Sequence, residues 1–280
     1  MCNLDDLSRN DIKQFLNENN EYKALINEMM SLNRLISDYS FLSSGKDFIS
    51  FNKCVFSPQK ILLSVESTLS NIIMCCNFGC IADANTLFRK FRDDLFFYMY
   101  VLVYFERDMQ KDKSKTAGHS IACWLNNKLK YLKIEVVLDS VFDSNMLSDI
   151  AKKYNLKESF KKISERLNNY VHSNGYIYYN DNTALAEINK FLRQVEQLTN
   201  DLKYCLITFF VLLSICHPHL IASSDYFDFI EFGQAPPDGL QYFVAPFIEK
   251  FIKDNYTLID KNCLEYLQDN CYMKFDFENC

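Results

Sequence analysis

Residues Thr183 to Cys216 read TALAEINKFLRQVEQLTNDLKYCLITFFVLLSIC, and their apolar spacing decides the fold. Leu185, Ile188, Leu192, Val195, Thr199, Leu202, Leu206 and Phe209 follow one another three and four residues apart, which aligns their side chains on one stripe of an α-helix. The stretch contains neither Gly nor Pro, so it predicts one long helix presenting a bundle seam. The rest of the chain is equally short of helix breakers. Six Gly and five Pro in 280 residues are too few for the turns of a β-sandwich, a propeller or a Gly-loop α/β enzyme.

Working outward, the same periodicity predicts a helix over about Asn10 to Ile36, through Ile12, Phe15, Leu16, Tyr22, Leu25, Ile26, Met29, Leu32 and Leu35. Ser57-Pro58 offers an N-cap and an N1 proline for a second helix running to about Phe78, where Gly79 stops it. A third follows over 81–107, polar from Asp83 to Asp94 and then apolar from Leu95 to Phe105. Asp108 to His119 is a Lys-rich loop. Shorter helices are expected at 121–132, 145–153 and 157–172, the last ended by Asn174-Gly175. Tyr176 to Asn180 reads as a short extended piece. Beyond Cys216, the turn cluster Gln234-Ala235-Pro236-Pro237-Asp238-Gly239 precedes two acidic helices at about 240–254 and 257–270. The predicted fold is all-α, an up-and-down bundle of long helices over 57–221, with an N-terminal helix and linker over 1–56 and an acidic helical extension over 222–280.

Composition agrees with a globular chain: 49% of residues are hydrophobic and 24% charged. Thirty basic against 36 acidic residues argue against a protein that coats nucleic acid or anionic membrane by bulk charge. The charge is unevenly spread. Residues 107–166 hold thirteen basic and eight acidic side chains, whereas residues 222–280 hold four and eleven. Eleven scattered cysteines in a long chain fit reduced thiols better than a disulfide framework, and the first residues lack a basic and apolar leader, so a cytoplasmic location is expected. Leu95 to Phe105 is too short to span a bilayer, and Tyr204 to Ile221 contains His217, Pro218 and His219. A buried core helix is therefore expected there, without stable membrane insertion.

The chain has no GxGxxG, GxxxxGK[ST], HExxH or GxSxG motif. Cys75, Cys76, Cys80 and Cys216-His217-Pro218-His219 lack paired metal-ligand spacing, so they read as core residues and neither a metal nor another cofactor is predicted. One segment stands above this background: Glu165-Arg166-Leu167-Asn168-Asn169-Tyr170-Val171-His172-Ser173-Asn174-Gly175, an Arg-x5-His at the end of an amphipathic helix. With the charged-then-apolar helix around Leu87-Phe88-Arg89-Lys90-Phe91-Arg92-Asp93-Asp94-Leu95, it resembles the HEPN superfamily, in particular the HEPN-like proteins of bacterial abortive-infection and phage-defence systems. The resemblance covers about residues 58–215. It implies a metal-independent endoribonuclease of toxin or phage-defence type, with Arg166 and His172 as catalytic residues.

The chemistry suits those residue types. Metal-free RNA cleavage needs a base for the 2′-hydroxyl proton and a cation for the charge that builds on phosphorus, roles that fit His172 and Arg166. Six residues on a regular helix leave the two side chains about 120° apart. Either the helix unwinds near Tyr170, or two chains pair so that Arg166 of one faces His172 of the other. The resemblance implies the second arrangement, a cleft on the two-fold axis of a homodimer. Asn168, Asn169 and Ser173 are candidate substrate contacts. Arg89 and Asp93, four residues apart, read first as a helix ion pair and second as a support that aims Arg166. Lys152, Lys153, Lys157, Lys161 and Lys162 could attract an RNA backbone, and an antitoxin or regulatory protein is a further expected partner. The competing reading is a non-catalytic helical interaction and dimerisation module.

Overall fold

Asn19 divides what the periodicity predicts as one N-terminal helix. The computed structural model describes residues 9–44, 46, 49–51, 54–108, 123, 133–172, 176, 178, 181 and 188–275. In it α1 (Arg9–Glu18) stops and α2 (Asn20–Ser43) begins afresh. The Asn19 side-chain oxygen accepts the Tyr22 N–H at 2.9 Å, while the Asn19 N–H donates to the Leu16 carbonyl at 3.0 Å. This is the local competition with the helix ladder that makes Asn a cap. At its other end α2 runs past the predicted stop at Ile36, because Tyr39, Ser40 and Ser43 continue its buried stripe.

A two-stranded antiparallel hairpin then intervenes, β1 (Ile49–Phe51) against β2 (Cys54–Phe56), with Ser50 opposite Val55. The helical periodicity gave no sign of it. Next come α3 (Gln59–Asn77) and α4 (Ile81–Asp108), separated as expected by Gly79, which has φ of +74°. Leu95 to Val103 of α4 is buried apart from partly exposed Phe97. The unpredicted α5 (Ile134–Phe142) buries Val137, Leu138, Val141 and Phe142, a helical stripe disguised by β-branched residues. Then follow α6 (Ser148–Lys153) and α7 (Leu156–Val171), close to the expected bounds. Asp108, the first residue of the predicted loop, is the last of α4; the rest of that loop to His119, the predicted helix 121–132 apart from helical Cys123, and Asn174-Gly175 lie outside the described residues. Tyr176 and Tyr178 are helical, which corrects the extended reading at those two positions; residues 177, 179 and 180 lie outside the described residues.

The long helix is α8 (Ile188–Cys216); residues 183–187 lie outside the described residues. Leu192, Val195, Thr199, Leu202, Leu206 and Phe209 are all buried. Its buried Thr199 and Ser214 hydroxyls donate to the Val195 and Phe210 carbonyls at 2.8 and 2.7 Å, satisfying themselves within the helix. By length and composition α8 could cross a membrane, yet 78% of its most apolar window is buried inside the protein. The C-terminal part contains α9 (Asp225–Glu231), α10 (Pro246–Asn255) and α11 (Cys263–Asn270), with 3-10 turns at Pro218–Ile221, Leu240–Tyr242 and Tyr256–Leu258. The two predicted acidic helices are therefore shorter than expected, and α9 was not foreseen. The protein is thus an all-α helical bundle carrying one short hairpin.

The chain divides into two compact units, one of Met1–Ser37, Leu63–Asp94 and Glu158–Cys205, the other of Asp38–Leu62, Leu95–Lys157 and Leu206–Cys280. In the first, the Tyr22 ring packs 6.0 Å from Phe191 and its hydroxyl donates to the Asn77 side chain at 3.0 Å. In the second, Tyr39 meets Phe209 and Phe210 edge-on at 5.7 and 5.2 Å, and Phe210 meets Phe251 at 5.8 Å. Edge-to-face pairs of this kind add to the free energy of area burial. Asn19→Ala should destabilise the protein by about 1 kcal/mol, and Phe210→Ala by about 4 kcal/mol, in urea unfolding followed by circular dichroism.

Candidate functional site

Four apolar residues, Leu156, Phe160, Ile163 and Leu167, seat α7 in the core, and the polar residues beside that stripe meet α4 and α8. Arg166 is about one-third exposed. Its guanidinium donates to the Asp201 carboxylate on α8, whose second oxygen accepts Gln197 Nε2 at 3.1 Å. The partner is thus neither the adjacent Glu165 nor Asp93. Burial lowers the Arg166 guanidinium from its ordinary value, and Asp201 itself is only 6% exposed.

A second arginine, Arg92 of α4, is the most deeply enclosed charge among the described residues, 1% exposed. Its Nε and Nη2 donate to Asp93 Oδ1 at 2.9 and 2.5 Å, and Nη1 donates to Ser164 Oγ of α7 at 2.7 Å. Ser164 in turn donates to the Phe160 carbonyl at 2.8 Å. Arg89 Nε lies 3.8 Å from Asp93 Oδ2. Arg89 and Asp93 therefore form the expected helix ion pair, and Asp93 serves Arg92 rather than aiming Arg166. Burial outweighs both arginines and raises the Asp93 carboxyl. Cys205 of α8 lies in the fields of Arg92, Arg166 and Asp93, and burial pushes its thiol up to about 12. The first unit so holds a polar layer in which three guanidinium groups face two carboxylates.

His172 stands at the end of this helix, exposed to solvent. Its backbone N–H donates to the Asn168 carbonyl at 3.0 Å, so α7 stays regular to its last turn. The unwinding near Tyr170 does not occur, and Arg166 and His172 remain about 120° apart around the helix. Tyr170 is held instead. Its ring packs 4.8 Å from Tyr178, and its phenol is pushed up to about 12 by burial and by Asp181. Asp181 accepts Lys190 and Gln194, each at 2.8 Å. Asn168 and Asn169 are half-buried, and Ser173 lies outside the described residues.

The lysines are unequal. All five are exposed, but Lys157 pairs with Asp139 and Asp143 at 2.9 Å, and Lys153 lies 4.6 Å over the Tyr266 ring. Lys152, Lys161 and Lys162 make no ion pair among the described residues. No group of three His, Cys, Asp or Glu side chains among the described residues is placed to hold a metal. Burial raises the thiols of Cys75 and Cys76, and neighbouring Cys80 adds to it.

Sequence reasoning singled out Arg166 and His172 as candidates and Arg92 only as part of its helix, and it did not foresee the partners Asp201, Gln197 and Ser164. A signal was present. Arg92 falls in line with Phe88, Leu95 and Met99, and Asp201 lies between Leu198 and Leu202; a charge among apolar helix positions announces an internal partner. The chain matches no protein-family model, no curated protein and no solved structure.

Two measurements probe this layer. Arg92→Met should cost about 3 kcal/mol in urea unfolding, since it leaves buried polar groups behind, and Arg166→Met should cost less because its guanidinium is partly solvated. In the unfolded chain a thiol titrates near 9 and a phenol near 10, whereas folded Cys205 and Tyr170 keep their protons to about 12. The folded state binds more protons in this window, so melting temperature should fall as pH rises through it. Cys205→Ala and Tyr170→Phe should each flatten that fall.

Proposed function

We propose that the protein is a metal-independent endoribonuclease of the toxin or phage-defence kind, acting in the cytoplasm as a homodimer. The observation that carries this reading is an exposed imidazole on an intact helix end, with a partly exposed arginine six residues before it on another face of the same helix. One chain cannot bring the two onto one phosphate. Two chains related by a two-fold axis can pair Arg166 of each with His172 of the other. His172 takes the 2′-hydroxyl proton, the 2′-oxygen attacks phosphorus, and the bond to the 5′-oxygen breaks. The products are a 2′,3′-cyclic phosphate and a 5′-hydroxyl protonated by solvent. Arg166 holds the charge on the phosphorane. Asn168, Asn169 and Ser173 supply further contacts, and exposed Lys161 and Lys162 on α7 add attraction for the backbone.

A second reading is favoured by a different observation. The Arg166–Asp201 pair is complete within one chain, which suits a helical interaction module that binds a protein partner and cleaves nothing. Labelled single-stranded RNA incubated with the purified protein in EDTA separates the two. The nuclease predicts cleavage that falls at least about 100-fold in His172→Ala and in Arg166→Ala, and that partly returns when the two variants are mixed. Absence of cleavage by the wild type decides for the interaction module.

A further inference from the structure

The second unit contains a cavity of about 550 Å³ beside the 3-10 turn at Pro218–Ile221, a size typical of small-molecule sites. Its walls include Ala222, Tyr226, Tyr242, Tyr272 and Met273, and Lys46 supplies an ammonium. Among the described residues no carboxylate lines it, although residues 222–280 hold eleven acidic side chains against four basic ones. Tyr272 is 88% exposed and Tyr242 about half exposed, so aromatic surface stands at the rim, accessible to a ligand. Exposed apolar surface gathered around a concavity is a feature of ligand-binding grooves.

Lys46 determines which ligand fits. Its Nζ donates to the Ala222 carbonyl at 3.2 Å, its only hydrogen bond among the described residues, which leaves two N–H groups unused. Half-burial pushes this ammonium down from its ordinary value, so the charge is poorly solvated where it stands. An anion placed against it would restore what burial removed. A cation would meet no carboxylate among the described lining residues.

We propose that this cavity binds a small planar aromatic acid, its ring held among Tyr226, Tyr242 and Met273 and its anionic group at Lys46 Nζ. The proposal does not depend on the ribonuclease reading, since every residue concerned lies in the second unit. Isothermal titration with 1-naphthoate, and with uncharged 1-naphthamide as its near-isostere, tests it on the full-length protein. Wild type should bind naphthoate saturably and more tightly than the amide. Lys46→Met should weaken naphthoate about tenfold and leave the amide within about twofold, whereas Lys46→Arg should retain the preference for the acid. Ala222→Phe, which fills the cavity, should abolish binding of both, with thermal melting used to confirm that each variant is folded. No saturable naphthoate binding below about 1 mM, or equal naphthoate affinity in wild type and Lys46→Met, overturns the proposal.

Discussion

The need to bury α8 governs much of this structure. Its 29 residues, Ile188–Cys216, are apolar on so much of their circumference that 78% of the most apolar window is covered by protein. A helix with one apolar stripe can lie on a bundle, but a helix like this must lie within one. Polar residues on its buried faces must then look for partners within the protein. Thr199 and Ser214 turn their hydroxyls to their own backbone. Asp201 has no such recourse, because a carboxylate cannot donate. It takes Arg166 and Gln197 instead, and α7 is tied to α8 at that point.

The same logic accounts for Arg92. A guanidinium removed from water is tolerated only when its N–H groups are occupied, and Asp93 and Ser164 occupy three of them. Such pairs contribute modestly to net stability, but a shift of α4 against α7 that separated them would leave a charge stranded in a dry interior. The pairing also bears on chemistry. One guanidinium group cannot give the same N–H to Asp201 and to a phosphate, so RNA cleavage by Arg166 requires an exchange of partners or the use of its remaining donors. An interaction module requires no such exchange, and this is the physical difference between the two functional readings.

The second unit is organised by aromatic rings and by backbone pairing. Tyr39, Tyr98, Phe209 and Phe210 meet largely edge to face, with the Tyr39 and Tyr98 hydroxyls 3.2 Å apart. Near the C-terminus, Val244 N–H donates to the Lys274 carbonyl at 3.2 Å and Ala245 N–H to Ile221 at 2.8 Å, which draws irregular segments together where helices are short. Gly239 at φ +81° and the prolines before it break the chain direction there. Irregular segments fill space less completely than packed helices, and the cavity beside Lys46 lies among them.

By itself the sequence determined the helical class, the extent of α3, α4, α7 and α8 to within a few residues over the described part, the stop at Gly79 and the placing of Arg166 and His172 at the end of α7. These follow from 3.6-residue periodicity and from breakers that act within a few residues of themselves. It did not disclose the break at Asn19, where a side chain outcompetes one turn of backbone, nor the hairpin, nor α5, whose β-branched residues blur the pattern. The partners were less legible still. Asp201 lies 35 residues from Arg166 and Ser164 lies 72 from Arg92, and no local rule couples positions so far apart. Only the tertiary structure decided which charges meet, because that choice belongs to the packing of α4, α7 and α8: burial forces each charge to find a partner, and the geometry of the packed helices determines which one is within reach.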